Sequence, residues 1–91
     1  MTHPCKQIVT AAKYLQTSGM TSDQLSQIHH FSLKGRKISF GQTMSYFGTD
    51  KNLNQNNLNF AKRIEYVETE HRRIGGNLDT IVQQALRRVP F

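Results

Sequence analysis

The side chains best suited to chemistry lie in one stretch of the chain, FSLKGRKISFGQTMSYFG, at positions 31–48. Three cations, Lys34, Arg36 and Lys37, are followed there by small polar side chains. Lysine and arginine bind phosphate oxygens, whereas glutamine, serine and threonine form hydrogen bonds with base edges. This pattern predicts contact with DNA. The alternative is a solvated basic loop that leads into an ordinary core helix.

The predicted DNA contacts fall into three groups. The loop cations Lys34, Arg36 and Lys37 would bind the phosphate backbone and set the register of the protein on DNA. The segment that follows would bind base edges or phosphates, and its predicted contact residues are Ser39, Gln42, Thr43 and Tyr46. Arg72 and Arg73 are predicted as secondary phosphate contacts.

The charge balance of the chain also indicates an anionic partner. The sequence holds 12 Lys and Arg against 6 Asp and Glu, a net charge of +6 with neutral histidines. Residues 1–49 hold five cations and one anion, whereas residues 50–91 hold seven cations and five anions. A protein that neutralises phosphates releases condensed counterions, which favours binding of a polyanion. A basic protein without any anionic partner is the alternative.

Residues that could act in catalysis or bind a metal do not form a recognisable site. The four histidines and Cys5 show neither Cys-x-x-Cys nor His-x-x-x-His spacing. His29 and His30 are adjacent, so on a helix their side chains point about 100° apart. Glu65, Glu68 and Glu70 lie among arginines, a pattern typical of an ion-paired surface. We therefore expect no enzyme, no cofactor and no metal ion.

The N-terminal sequence and the cysteine content predict a cytoplasmic location. One cysteine, Cys5, allows no internal disulfide, and MTHPCKQIV lacks the charged and apolar regions of a signal peptide. Apolar runs are too short to cross a bilayer.

Helical periodicity recurs in the first half of the chain. It predicts a helix over residues 5–18 that ends at Gly19, then a second helix whose capping box pairs Thr21 with Gln24. A third helix is predicted to begin after Ser39 as N-cap, with Phe40, Met44 and Phe47 buried. A two-stranded hairpin over residues 31–40 is the less favoured alternative.

The second half predicts two further helices. The asparagine-rich segment 49–59 reads as a loop, with Asn56 or Asn57 capping the helix that follows, and Asn77 caps the last helix after Gly75-Gly76. Apolar spacing of 4-3-4-3 predicts a two-heptad dimerisation seam on the fourth helix, formed by Phe60, Ile64, Val67, His71 and Ile74. Packing of this seam within one chain, as a helical hairpin, is the alternative.

Together these elements predict one all-α domain over residues 1–91, or a mainly α domain with one short β-hairpin. Residues 1–50 would form a helix-turn-helix or winged-helix-like core, and residues 57–89 a helical hairpin. The predicted function is a homodimeric binder of double-stranded DNA, a small regulator or an accessory factor in replication, mobilisation or recombination. The alternative is an adaptor or inhibitor that docks on an acidic protein surface through the hairpin.

Two short stretches resemble segments of DNA-processing proteins. EHRRIGGNLDTIVQQ, residues 70–84, resembles a segment of plasmid mobilisation accessory proteins, although no ribbon-helix-helix strand accompanies it. KGRKISFGQTMSYF, residues 34–47, is similar in outline to the basic turn and helix of recombinase DNA-binding domains, but it lacks their usual tryptophan. We assign no family from either stretch.

Overall fold

A computed structural model describes residues 4–29, 37–49 and 54–89 of the chain. These residues contain no strand and form five helices, which are α1 (Pro4–Thr17), α2 (Ser22–Ile28), α3 (Phe40–Phe47), α4 (Gln55–Ile74) and α5 (Leu78–Arg88). The all-α prediction is therefore confirmed for these ranges. Most of the predicted hairpin alternative, over residues 31–36, lies outside them. None of the five helices is long and apolar enough to span a membrane.

Two capping boxes set the starts of α2 and α3; the sequence predicts the box at α2, and for α3 it predicts Ser39 as N-cap without the box. At α2, Gln24 N donates to Thr21 Oγ1 at 3.1 Å, and Thr21 N donates to Gln24 Oε1 at 2.9 Å. The same pair of bonds joins Ser39 and Gln42 at α3, at 3.1 and 2.9 Å. Each box satisfies two backbone N–H groups that the first helical turn leaves without a carbonyl partner. The helical interpretation of residues 40–47 is thereby confirmed.

A Schellman motif ends α1 and turns the chain towards α2. Gly19 N donates to Gln16 O at 3.1 Å, and Met20 N donates to Leu15 O at 2.9 Å. Gly19 has a φ of 98°, a value that favours glycine because it has no Cβ. Met20 and Leu15 are both buried, which provides the apolar contact that accompanies this motif.

Helix α4 begins earlier than the sequence indicates. Its N-cap is Asn54, whose Oδ1 accepts a hydrogen bond from Asn57 N at 2.9 Å, so the prediction of Asn56 or Asn57 as cap is wrong. Asn57 instead lies in the first helical turn and is fully buried. The end of α4 at Gly75 and the N-cap of α5 at Asn77 agree with the prediction.

The core is built around α4, which packs against α1 on one side and α5 on the other. Helix α3 packs against α1, while α2 packs mainly against α5. The α4–α5 pair is antiparallel, because Arg63 Nε donates to the carbonyl of Val89 while Tyr66 Oη donates to Gln84 Oε1 at 3.5 Å. Arg63 is buried, and its desolvation lowers the pKa of the guanidinium.

This arrangement corrects the prediction of a dimerisation seam on α4. Phe60, Ile64 and Val67 are at most 1% exposed, within the core that α4 shares with the chain's other helices. A second copy cannot reach them without unfolding the chain. His71 is half-buried and bonded to Tyr14, while Ile74, at 63% exposed, is the one member of the five that projects into solvent. The seam therefore packs within one chain.

The same substitution at two glycines should change stability in opposite directions. Gly19→Ala places a Cβ on a backbone with a φ of 98°, and we expect it to lower the free energy of unfolding by about 1–2 kcal/mol. Gly41→Ala lies in the first turn of α3, where the added Cβ meets only Ser39 Oγ at 3.9 Å. We expect it to raise stability by about 0.5–1 kcal/mol. Urea unfolding of both variants at 25 °C measures the two shifts. A gain of stability in Gly19→Ala would contradict the account of Gly19, and a loss in Gly41→Ala would contradict that of Gly41.

Candidate nucleic-acid interface

Helix α3 presents a polar face to solvent. Phe40 and Phe47 are buried on its inner side, whereas Gln42, Ser45 and Tyr46 are exposed on its outer side. Tyr46 is 41% exposed, and its ring packs edge-on against Phe47 with 4.9 Å between centroids. The outer face therefore combines hydrogen-bonding side chains with one aromatic ring held in place by the core.

Thr43 does not belong to this outer face, so its predicted contact with DNA is wrong. Its side chain is fully buried, and its Oγ1 donates to the carbonyl of Ser39 at 3.0 Å. That bond satisfies the hydroxyl inside the helix, which allows a threonine to occupy a core position. Met44, which the sequence predicts to be buried, is only half-buried.

Ser39 and Gln42 are in place at the start of α3, but both already form hydrogen bonds. Gln42 Oε1 accepts from Ser39 N, and Ser39 Oγ accepts from Gln42 N. The Nε2 amino group of Gln42 is not used by the capping box, and it can donate to a base or a phosphate oxygen. Bidentate reading of adenine would require Oε1 to accept a second hydrogen bond.

The residues that lead into α3 are attached to α2. Ser26 Oγ accepts a hydrogen bond from Ile38 N at 2.8 Å and donates to Ile38 O at 3.4 Å. One turn earlier on α2, Asp23 Oδ1 lies 2.8 Å from Lys37 Nζ. These contacts join positions twelve or more residues apart and hold the N-terminal end of α3 beside α2.

The other predicted cations differ in their surroundings. Lys34 and Arg36 lie outside the described residues. Arg72 pairs with Glu68 at 3.1 Å and stacks on the ring of Tyr14, 3.9 Å from its centroid. Arg73 pairs with Glu70 at 2.7 Å, and this hydrogen bond raises the pKa of its guanidinium. Both arginines are exposed on α4, and each pairs with a neighbouring carboxylate.

A shallow indentation joins α1 to the end of α3. It is lined by Lys6, Val9, Thr10, Phe47 and Gly48. Sequence reasoning predicted no contact residue on α1, although the helix holds two lysines and no acid. The packing of α1 against α3 brings these lysine-bearing turns into the neighbourhood of the predicted interface.

Histidine, cysteine and acidic side chains do not gather into a metal site within residues 4–29, 37–49 and 54–89. Tyr14 Oη and His71 Nδ1 are 2.8 Å apart in a half-buried contact between α1 and α4. His29 is buried and packs edge-on against Phe60, with 4.2 Å between ring centroids. These contacts join helices of the core.

No protein-family model, curated protein or solved structure matches this chain.

Removal of the Ser26 hydroxyl should loosen the start of α3. In Ser26→Ala, the N–H and C=O groups of Ile38 both lose a partner, and we expect the free energy of unfolding to fall by about 1–2 kcal/mol. Ser26→Thr keeps the hydroxyl and is the matched control. Urea unfolding gives the loss, and hydrogen exchange at the Ile38 amide shows whether it is local. Unchanged protection at Ile38 in the alanine variant would contradict this role of Ser26.

Proposed function

We propose that this protein binds double-stranded DNA through the outer face of α3 and the residues that lead into it. One observation carries the proposal: α1 and α3 pack together, and neither helix contains a carboxylate. The acids of the described residues lie on the other helices and are Asp23, Glu65, Glu68, Glu70 and Asp79. The two helices thus present lysine, glutamine, serine and tyrosine side chains without a carboxylate of their own, which favours the approach of phosphates.

The dimensions of α3 suit the major groove of DNA. An α-helix with its side chains is about 10–12 Å in diameter, and the groove is about 12 Å wide. Lys37 precedes the N-terminal end of α3, where the helix dipole adds a partial positive charge. Gln42 and Ser45 would then reach base edges, while Lys37 binds a phosphate.

Helix α3 would act as the recognition helix does in helix-turn-helix proteins, although its main packing partner is α1. The protein would serve as a small regulator or as an accessory factor in replication, mobilisation or recombination.

We propose that one copy of the chain is sufficient for binding, since Phe60, Ile64 and Val67 pack inside it. Docking of the helical hairpin on an acidic protein, the alternative function, would use the exposed cations of α4 and α5 rather than these buried residues.

The ion pair between Lys37 and Asp23 does not prevent a phosphate contact. Their side chains are 71% and 60% exposed, so the pair lies in water. Exposed ion pairs stabilise proteins by about 0–1 kcal/mol, and a phosphate can therefore displace Asp23 from Lys37. Lys37 would exchange one anionic partner for another.

Titration of the protein with random duplex DNA at several salt concentrations tests this proposal. The wild type should lose affinity steeply between about 50 and 200 mM salt. Lys34, Arg36 and Lys37 would contribute about 0.9 each to the slope of log K against log salt, so a triple alanine variant should show a slope shallower by about 2.7.

The control is Lys62→Gln combined with Arg87→Gln, which removes two exposed cations of α4 and α5. We expect this control to retain nearly the wild-type slope. Absence of binding by the wild type at 50 mM salt would refute the proposal, as would an unchanged slope in the triple variant.

Neutralising Asp23 should strengthen DNA binding. Asp23→Asn frees Lys37 and removes a carboxylate beside the expected phosphate, so we expect the affinity at low salt to rise about fivefold, or ~1 kcal/mol. Asp79→Asn is a matched control, because Asp79 also occupies the second position of its helix. It differs from Asp23 in lying on α5, where no DNA contact is proposed. Fluorescence anisotropy with labelled duplex measures both constants. Equal gains in the two variants would point to net charge alone and contradict the role of Lys37.

A further inference from the structure

We infer that α1 carries a second phosphate-binding element, formed by Lys6, Thr10 and Lys13, beside the outer face of α3. This inference rests on the proposed binding of DNA and identifies where the backbone of one strand runs. The three residues are named below as the α1 stripe.

The α1 stripe lies on one side of its helix. Its members are separated by four and three residues, the spacing that places side chains above one another on a helix surface. All three are exposed, whereas Ile8 and Ala12, on the opposite side, are buried in the core. The stripe is therefore a continuous solvent-facing row.

The stripe begins next to the end of α3. Lys6 and Thr10 line the indentation that Phe47 and Gly48 close from the other side. Lys13 extends the row by one more turn along α1. A DNA strand that follows the stripe would thus pass the C-terminal end of α3.

Among the residues that the structure describes, no acid pairs with the lysines of the stripe. Lys6 and Lys13 have no ion pair there, whereas Lys37, Arg72 and Arg73 each have one. A phosphate that approaches the stripe meets two positive charges and displaces no carboxylate of the described residues. The attraction is therefore larger for these lysines than for the paired cations.

The spacing of the stripe lets its two lysines contact separate phosphates of one strand. Lys6 and Lys13 are seven residues apart, which is about 10.5 Å along a helix axis. Because this separation is larger than a single phosphate group, the two lysines would bind different phosphates rather than share one. The Thr10 hydroxyl, between the lysines, would donate a hydrogen bond to an intervening phosphate.

The occupant of the stripe is the sugar–phosphate backbone rather than an extruded base. Binding of a single base usually uses an exposed aromatic ring for stacking. Phe47 is the aromatic residue that lines the indentation, and its side chain is fully buried. Cations and a hydroxyl remain, which are the groups that bind phosphate oxygens.

The test compares two charge-matched double variants of the full chain. Lys6→Gln with Lys13→Gln removes the charges of the stripe, and Lys62→Gln with Arg87→Gln removes two exposed cations from α4 and α5. The salt dependence of binding to random duplex DNA is measured from about 50 to 200 mM salt. Circular dichroism and thermal melting establish that both variants are folded.

We expect the stripe variant to have a salt slope shallower than the wild type by about 1.8, at about 0.9 for each lost phosphate contact. Over a fourfold rise in salt, the wild type then loses about 12-fold more affinity than the variant. The control should keep nearly the wild-type slope.

Different failures have different meanings. If the wild type binds DNA but the stripe variant keeps its slope, the stripe is refuted and binding through α3 stands. Equal changes in both double variants refute the stripe as well, because they reflect net charge. If the wild type does not bind DNA, both the proposed function and the stripe are refuted.

A vesicle experiment tests a membrane as the anionic partner. If the stripe variant loses binding to phosphatidylserine vesicles but keeps the wild-type DNA slope, the lysines bind a membrane surface and the inference is overturned.

Discussion

Burial of one stripe of α4, formed by Phe60, Ile64 and Val67, is the constraint on which the rest of the structure depends. A chain of 91 residues builds a single core, and α4, with 20 residues, is about 30 Å long, close to the 33 Å extent of the protein. Helices α1 and α5 cover this stripe from two sides, and α3 and α2 pack in turn on those helices. This apolar surface of α4 is therefore used within one copy of the chain.

The polar surface around α3 is positioned by hydrogen bonds as much as by apolar contacts. The capping box of Ser39 and Gln42 sets the first turn of α3, and Ser26 holds the preceding residue, Ile38, against α2. Phe47 ties the other end of the helix into the aromatic cluster with Phe60. Because both ends of α3 are held, its exposed side chains have a defined position relative to α1. A rigid polar face presented in this way binds a ligand with a smaller loss of conformational entropy than a loop would.

Much of the fold could be predicted from the sequence, and the errors have identifiable causes. Thr43 and Met44 fit the helical spacing from Phe40 to Phe47 equally well, so the spacing does not show which of the two is buried. The sequence predicts a buried methionine and a DNA-binding threonine. In the structure the threonine is buried, because its hydroxyl donates to the carbonyl of Ser39. Asn54 precedes three further polar residues, and no apolar period distinguishes it as the cap of α4. Of the candidate site, the outward positions of Gln42 and Tyr46 were predictable from helical periodicity. The position of α1 beside α3 was not, because it depends on which helices pack together.

Features that arise within about five residues follow directly from residue types and their order: the two capping boxes, the turn at Gly19 and the glycines after α4. These depend on local hydrogen bonds and on backbone angles that particular residue types prefer. Packing of the whole chain brings particular apolar faces together, and the seam of α4 is therefore covered within one chain. The same packing places Lys6, near the start of the chain, beside Phe47 at the end of α3. Such contacts follow from the burial of apolar area by the whole chain, which no local pattern of residues specifies.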